Sequence, residues 1–409
     1  MISKFGQVVV RTLGSRIALM AIILLTLRAA QGQTFKVLHA FGDSFDGSNP
    51  QGALLRDRAG NLYGTANIGG NQKCGRFGCG IIFELTPEGK ETVLHRFVQT
   101  DGALPSANLT PDKTGNLYST VVYGGPTGCN GNGCGGIFEL DNNNRVTLLY
   151  SFTGTTDIVN TGSNPIAGLI RDGSDNFYGV TFTGGSHVLC EGEPGCGTIF
   201  KLEASGKLRV LYVFRGGRDG ANPRSPLIAD DAGNLYGTAS EAGKFDVGTV
   251  FKLDTKGRFS VVHTFTGRNG GGRFPFGGLV RDAAGNLYGT TLTGGAHNSG
   301  TVYKLDRRGA ETILHAFTGG SDGEFPWASL VIDKQGNLFG TTAFGGAHED
   351  GTVFELDANG KETVLHSFVS ATDGDAIIAP VILDPAGNLY GTAAEGGSLG
   401  DGTVFEIIR

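Results

Sequence analysis

Six cysteines, eight histidines and a single tryptophan are the residues of this chain best suited to chemistry. The cysteines stand as three local pairs, Cys74 with Cys79, Cys129 with Cys134 and Cys190 with Cys196, and none follows. Zinc knuckles usually place two residues between their cysteines, so a spacing of four or five favours three loop-local disulfides over a shared metal. His187, His297 and His348 each follow a Gly-Gly pair by one residue, with Glu191 and Glu193 near the first and Glu349 and Asp350 after the last. Imidazole beside carboxylate is a ligand set for a divalent ion, but these copies are not all adjacent. Solvated loop residues are therefore the expectation, and no metal or cofactor is assigned.

The other five histidines, His39, His95, His263, His315 and His366, occupy one repeated position, at which Tyr150 and Tyr212 also occur. A flat, partly polar ring meets that requirement. A shared metal there is set aside, because the strands carrying them are expected to lie too far apart. GGSLG at 396–400 matches G-x-S-x-G, yet it sits in a hairpin loop with no helix after it and is no nucleophile elbow. No glycine-rich stretch leads into Lys-Ser or Lys-Thr, so phosphate loops are absent.

These groups are positioned by a repeat. GNLYGT stands at 60–65, 233–238, 285–290 and 387–392, with variants at 115 (GNLYST), 175 (DNFYGV) and 336 (GNLFGT). A D-x-x-G turn leads into each copy, from Asp57, Asp112, Asp172, Asp230, Asp282, Asp333 and Asp384, with Asp175 replacing the glycine once. Aspartate bonds its own turn and glycine supplies the positive φ that a tight hairpin needs. A Gly-rich loop, a GTVFELD-like segment, a short turn and an ETVLHSF-like segment complete the unit. These are four short strands rich in β-branched and aromatic residues, recurring every 51 to 60 residues. The Tyr and second Gly of the motif are expected to pack neighbouring units.

Four-stranded units of this length indicate an all-β propeller. Residues 35–41 (FKVLHAF) read as a fourth strand with no partners before it, and 402–408 (GTVFEII) as a third strand with none after it. A ring absorbs both ends. The expected fold is a seven-bladed β-propeller, four strands per blade, closed by the N-terminal strand completing the last blade.

Residues 1–32 carry Lys4, Arg11 and Arg16 before an apolar run from Ile17 to Leu27, then small residues up to Gly32. This pattern reads as a secretory signal peptide cut before Gln33, with an uncleaved anchor as the alternative. Residues 33–409 are then one propeller domain, secreted or periplasmic and monomeric, with no membrane span after cleavage. The chain carries −6; residues 1–32 hold four positive charges and no negative one, so the remainder stands at −10. With no basic cluster, nucleic acid and anionic membranes are poor partners.

The unit GNLYGT…GG…GTVFKLD…G…TVLHSF closely resembles the GloVer tandem repeat of secreted bacterial proteins with varied C-terminal anchors. Its D-x-x-G-N-L-Y-G-T portion is also similar to propeller repeats of two-component regulators. The resemblance covers residues 35–408 and implies the propeller, but no established activity.

Residues that repeat seven times serve the scaffold; a single site needs residues that differ between copies. Pro50, Pro105, Pro165, Pro223, Pro275 and Pro326 precede the turn aspartates by seven residues, with Ile377 in the last copy. The next residue should stand at the mouth of the central channel and reads Gln51, Ser106, Ile166, Arg224, Phe276, Trp327 and Ile378. Trp327 and Phe276, flanked by Phe274 and Phe325, offer faces for a sugar ring or peptide side chain, with Arg224 to orient it. The same aromatics could instead plug the channel. A secreted binding or scaffold module for a glycan, peptide or cell-surface protein is the leading function. The alternative is an extracellular propeller enzyme, a glycan hydrolase or lyase, using acidic loop residues such as Glu349 or Asp350.

Overall fold

A computed structural model describes residues 33–42, 45–70, 74, 77–125, 129–154, 161–186, 189–190 and 193–409; the proposed signal peptide lies outside them. Seven four-stranded antiparallel sheets form the blades of a propeller, and among the described residues there is no α-helix. Blade 1 runs outward through Leu55–Arg56, Leu62–Ala66, Ile81–Leu85 and Glu91–Arg96. Blades 2 to 6 repeat this order. Blade 7 takes Ile382–Leu383, Leu389–Ala393 and Thr403–Ile408 from one end of the chain and Thr34–Ala40 from the other. Thr34 faces Ile408 and Ala40 faces Thr403, so the N-terminal strand closes the ring as its sequence pattern requires.

The core lies between blades rather than within them: seven hydrophobic clusters each join one blade to the next. Each outer strand leads into a buried phenylalanine that meets an aromatic ring on the next blade's third strand edge-on. The centroids of these pairs, such as Phe41–Phe83, Phe152–Phe200 and Phe265–Tyr303, stand 5.0 to 5.3 Å apart. Edge-to-face contact at this distance suits the ring quadrupoles as well as burying area.

Each letter of GNLYGT has its own physical reason. Gly60 adopts φ 97° to turn the hairpin, and Asp175, the exception in blade 3, holds φ 61°, which short polar side chains tolerate. Asp57 accepts hydrogen bonds from the Asn61 N–H at 2.8 Å and its side-chain amide at 2.9 Å. The leucine is buried. Tyr178 donates its hydroxyl to Asp172 at 3.0 Å; burial, then this bond, push its pKa up to about 12, so it stays a donor. The Tyr63 ring packs on the neighbouring blade, as expected. The second glycine differs from expectation. A Cβ on Gly64 would lie 2.5 Å from the Phe83 ring, so the room it leaves is for its own blade's third strand.

The final threonine joins blades. Thr65, Thr120, Thr238, Thr290 and Thr341 each donate a hydroxyl to a carbonyl on the next blade's inner segment, at 2.9 to 3.2 Å. Val180 replaces it in blade 3, and in blade 7 the buried Thr392 hydroxyl has no partner.

Candidate functional site

Every blade delivers its inner strand to the channel through one left-handed residue. Asn49, Leu104, Asn164, Asn222, Phe274, Phe325 and Ala376 all have φ between 51 and 60°, which asparagine tolerates and which is costly for Leu104, Phe274, Phe325 and Ala376. The preceding blade holds most of them there by a backbone bond. Leu104, Asn164 and Asn222 donate N–H groups to Cys79, Cys134 and Cys196, and Phe274 and Phe325 donate to Val247 and Ser299. Two residues further on stand the side chains that vary between copies.

Those side chains surround a cavity of about 400 Å³ at the long-loop end of the channel. Arg224, Phe276 and Trp327, from blades 4, 5 and 6, form one wall. Gln51, Ser106, Ile166 and Ile378 form the rest. The Arg224 guanidinium carbon lies 3.9 Å from the Phe276 centroid, close enough for a cation–π contact. Phe276 meets Trp327 edge-on at 4.9 Å and 76°. Trp327 remains 36% exposed, and both it and Phe276 line the cavity.

Two expected members of the site are elsewhere. Phe274 and Phe325 are the left-handed residues themselves, and neither lines the cavity. Phe274 packs into the cluster between blades 4 and 5, and Phe325 meets Phe344 edge-on. The position alone does not exclude a side chain from the cavity, since Leu104, its counterpart in blade 2, is among the lining residues. The X-Pro junction marks a special backbone position, but the pre-proline residue is ordinarily extended, so its left-handed state was not legible.

The three expected disulfides are present, Cys74–Cys79, Cys129–Cys134 and Cys190–Cys196. His297, His348 and Glu349 are exposed, and the Asp350 carboxylate accepts the Ser370 N–H at 2.7 Å. His187, Glu191 and the Glu193 side chain fall outside the described residues. GGSLG forms part of the loop between the second and third strands of blade 7, with no helix after it. No Asp, Glu or His is among the cavity's described lining residues, and Arg224 is the only formal charge there.

The outer-strand histidines overturn one expectation. A β-bulge precedes each His or Tyr and turns its ring toward the next blade. His366 stacks on Phe35 at 3.6 Å and Tyr212 on Phe259 at 3.8 Å, while His39 Nε2 lies 4.0 Å from Glu91 and His263 Nε2 3.6 Å from Glu311. Outer strands of adjacent blades are thus near enough to share a ligand.

Among solved structures, a streptogramin B lyase superposes with a TM-score of 0.58 at 11% identity, over 92% of this chain and 97% of that one. The extracellular domain assigned to a one-component system of B. thetaiotaomicron gives 0.54 at 11% identity, over 91% of this chain and 40% of that one. At such identities the likeness establishes the propeller and nothing about activity. No curated sequence matches the chain. The Gloeobacter/Verrucomicrobia repeat model matches residues 24–189, 131–331 and 309–409, and the chain, whose seven units build this ring, belongs to that repeat family.

Proposed function

We propose that the protein is an exported binding module that takes a ring-bearing ligand, a sugar unit or a peptide side chain, at the long-loop mouth of its channel. The observation carrying this reading is the Arg224–Phe276–Trp327 wall, three different residues at one repeated position, bordering a cavity of about 400 Å³. Small-molecule sites combine apolar and aromatic walls with a few polar groups, and Gln51, Ser106 and Arg224 supply these here. Binding is favoured over turnover because the usual general acid–base side chains, carboxylate, imidazole, amine, phenol and thiol, are all missing from the described lining. Three disulfides and the N-terminal apolar run support export.

The test uses the single tryptophan. Titration with a panel of oligosaccharides and short peptides should change Trp327 emission for one class. Trp327→Ala should weaken that binding about tenfold or more, as loss of an aromatic anchor does, with the melting temperature nearly unchanged. Undiminished binding by Trp327→Ala would place the site in the outer loops, and release of new reducing ends would mark an enzyme.

A further inference from the structure

We propose that His39, Asp46 and Glu91, at the junction of blades 7 and 1, form a binding site for a divalent transition cation of the Zn²⁺ class. One ligand atom from each lies within 4.8 Å of the others. They come from three directions: His39 from the closing strand, Asp46 from the turn that leaves it, and Glu91 from the outer strand of blade 1.

His39 Nε2 and Glu91 Oε1 are both buried and without a hydrogen-bond partner. Two such orphans in one cleft are costly, since each has lost water without replacement. The 4.0 Å between Nε2 and Glu91 Oε2 is too long for a hydrogen bond. Two ligands of one tetrahedral Zn²⁺ stand about 3.4 Å apart, so an inward shift of about half an ångström would bring both atoms onto one ion.

The equivalent positions elsewhere in the ring show what is missing. Tyr212 bonds Asp219 at 2.8 Å and His366 bonds Asp373 at 2.9 Å, and each stacks on an aromatic ring where blade 1 has Glu91. His315 closes onto Asp322 at 3.2 Å. His263 faces Glu311, with Gly270 where the aspartate would stand. At the 7/1 junction both carboxylates are present, yet the imidazole nitrogen is bonded to neither. An imidazole in the set selects Zn²⁺-type ions over Ca²⁺, and a bound ion would join the ring-closing strand to blade 1.

The protein, purified after export and stripped with EDTA, is titrated calorimetrically with ZnCl₂ and with CaCl₂. One equivalent of Zn²⁺ should bind per chain, more tightly than Ca²⁺, and raise the melting temperature. Glu91→Gln and His39→Tyr should each weaken binding at least about tenfold and remove the thermal gain. Tyrosine already serves at this position in blades 2 and 3, so His39→Tyr is compatible with the fold. His348→Ala, on an exposed loop, should change nothing. Absence of stoichiometric Zn²⁺ binding, tighter Ca²⁺ binding, or affinity unchanged in both junction variants would overturn the site.

Discussion

Blades 1 to 3 and blades 4 and 5 solve one problem by different means. Each must present a carbonyl to the left-handed residue that leads the next blade into the channel. In blades 1 to 3 that carbonyl belongs to the second cysteine of a disulfide, and in blades 4 and 5 to Val247 and Ser299. The loops differ in length: residues 67–80 separate the second and third strands in blade 1, but only 292–300 in blade 5. One backbone bond is common to both, Gly80 donating to Gly69 in blade 1 and Gly300 to Gly294 in blade 5, and the shorter loop adds Ser299 reaching Glu324 at 3.2 Å. A longer loop has more conformations to lose, and a covalent closure offsets that entropy. Cross-links therefore mark where the loops are long, while the groups best suited to bind a ligand come from blades 4, 5 and 6.

The largest effect should come from removing what both halves depend on. Deleting residues 33–42 takes away the closing strand and Phe41 and exposes the edge of Thr403–Ile408, so aggregation or loss of the cooperative melt is expected by calorimetry. An unchanged melt would contradict the ring. Next, Phe152→Ala and Phe317→Ala should each cost about 3–5 kcal/mol in urea unfolding, and similar amounts, because the aromatic pairing is the same in both halves. A large difference between them would show that the disulfide half has a stability of its own.

Replacing Cys190 and Cys196 together by serine should cost about 2 kcal/mol or less, since the closed loop is short. It should also weaken ligand binding, because the Cys196 carbonyl holds Asn222, two residues before Arg224. The same double change at Cys74 and Cys79 should affect stability with less effect on binding. Thr290→Val should cost about 1 kcal/mol by losing its bond to Ala328, whereas Thr392→Val should be neutral or stabilising, since that hydroxyl has no partner.

The smallest effect concerns pH. Burial, then Asp322, raise Glu362 from its ordinary 4.5 to about 7. The folded protein therefore binds the proton more tightly, and this stability is full below about 4.5 and lost as pH rises through about 7. In EDTA, Glu362→Gln should raise the melting temperature relative to the parent at pH 8 and have little effect at pH 5. An equal effect at both values would remove the linkage.

The fold was legible because it is written seven times over at short range. Asp57 and Asn61 bond each other four residues apart, and any copy predicts the next. The shifted strand order at the two ends added closure. The channel position was legible for the opposite reason, because Arg224, Phe276 and Trp327 break a pattern. Contacts that cross from blade to blade were not legible. The left-handed backbone at Phe274 and Phe325 is held by carbonyls of the preceding blade, Val247 and Ser299. The approach of His39 to Glu91 depends on a bulge and on how tightly outer strands converge. Neither leaves a local signature.

The offset of one strand also sets an order of events. A chain made from its N-terminus supplies Thr34–Ala40 first, yet the strand it pairs with, Thr403–Ile408, comes last. The pairing that closes the ring therefore joins two segments separated by nearly the whole sequence. Contacts of such separation carry a large loop-closure entropy, and a ring left open would keep two raw strand edges.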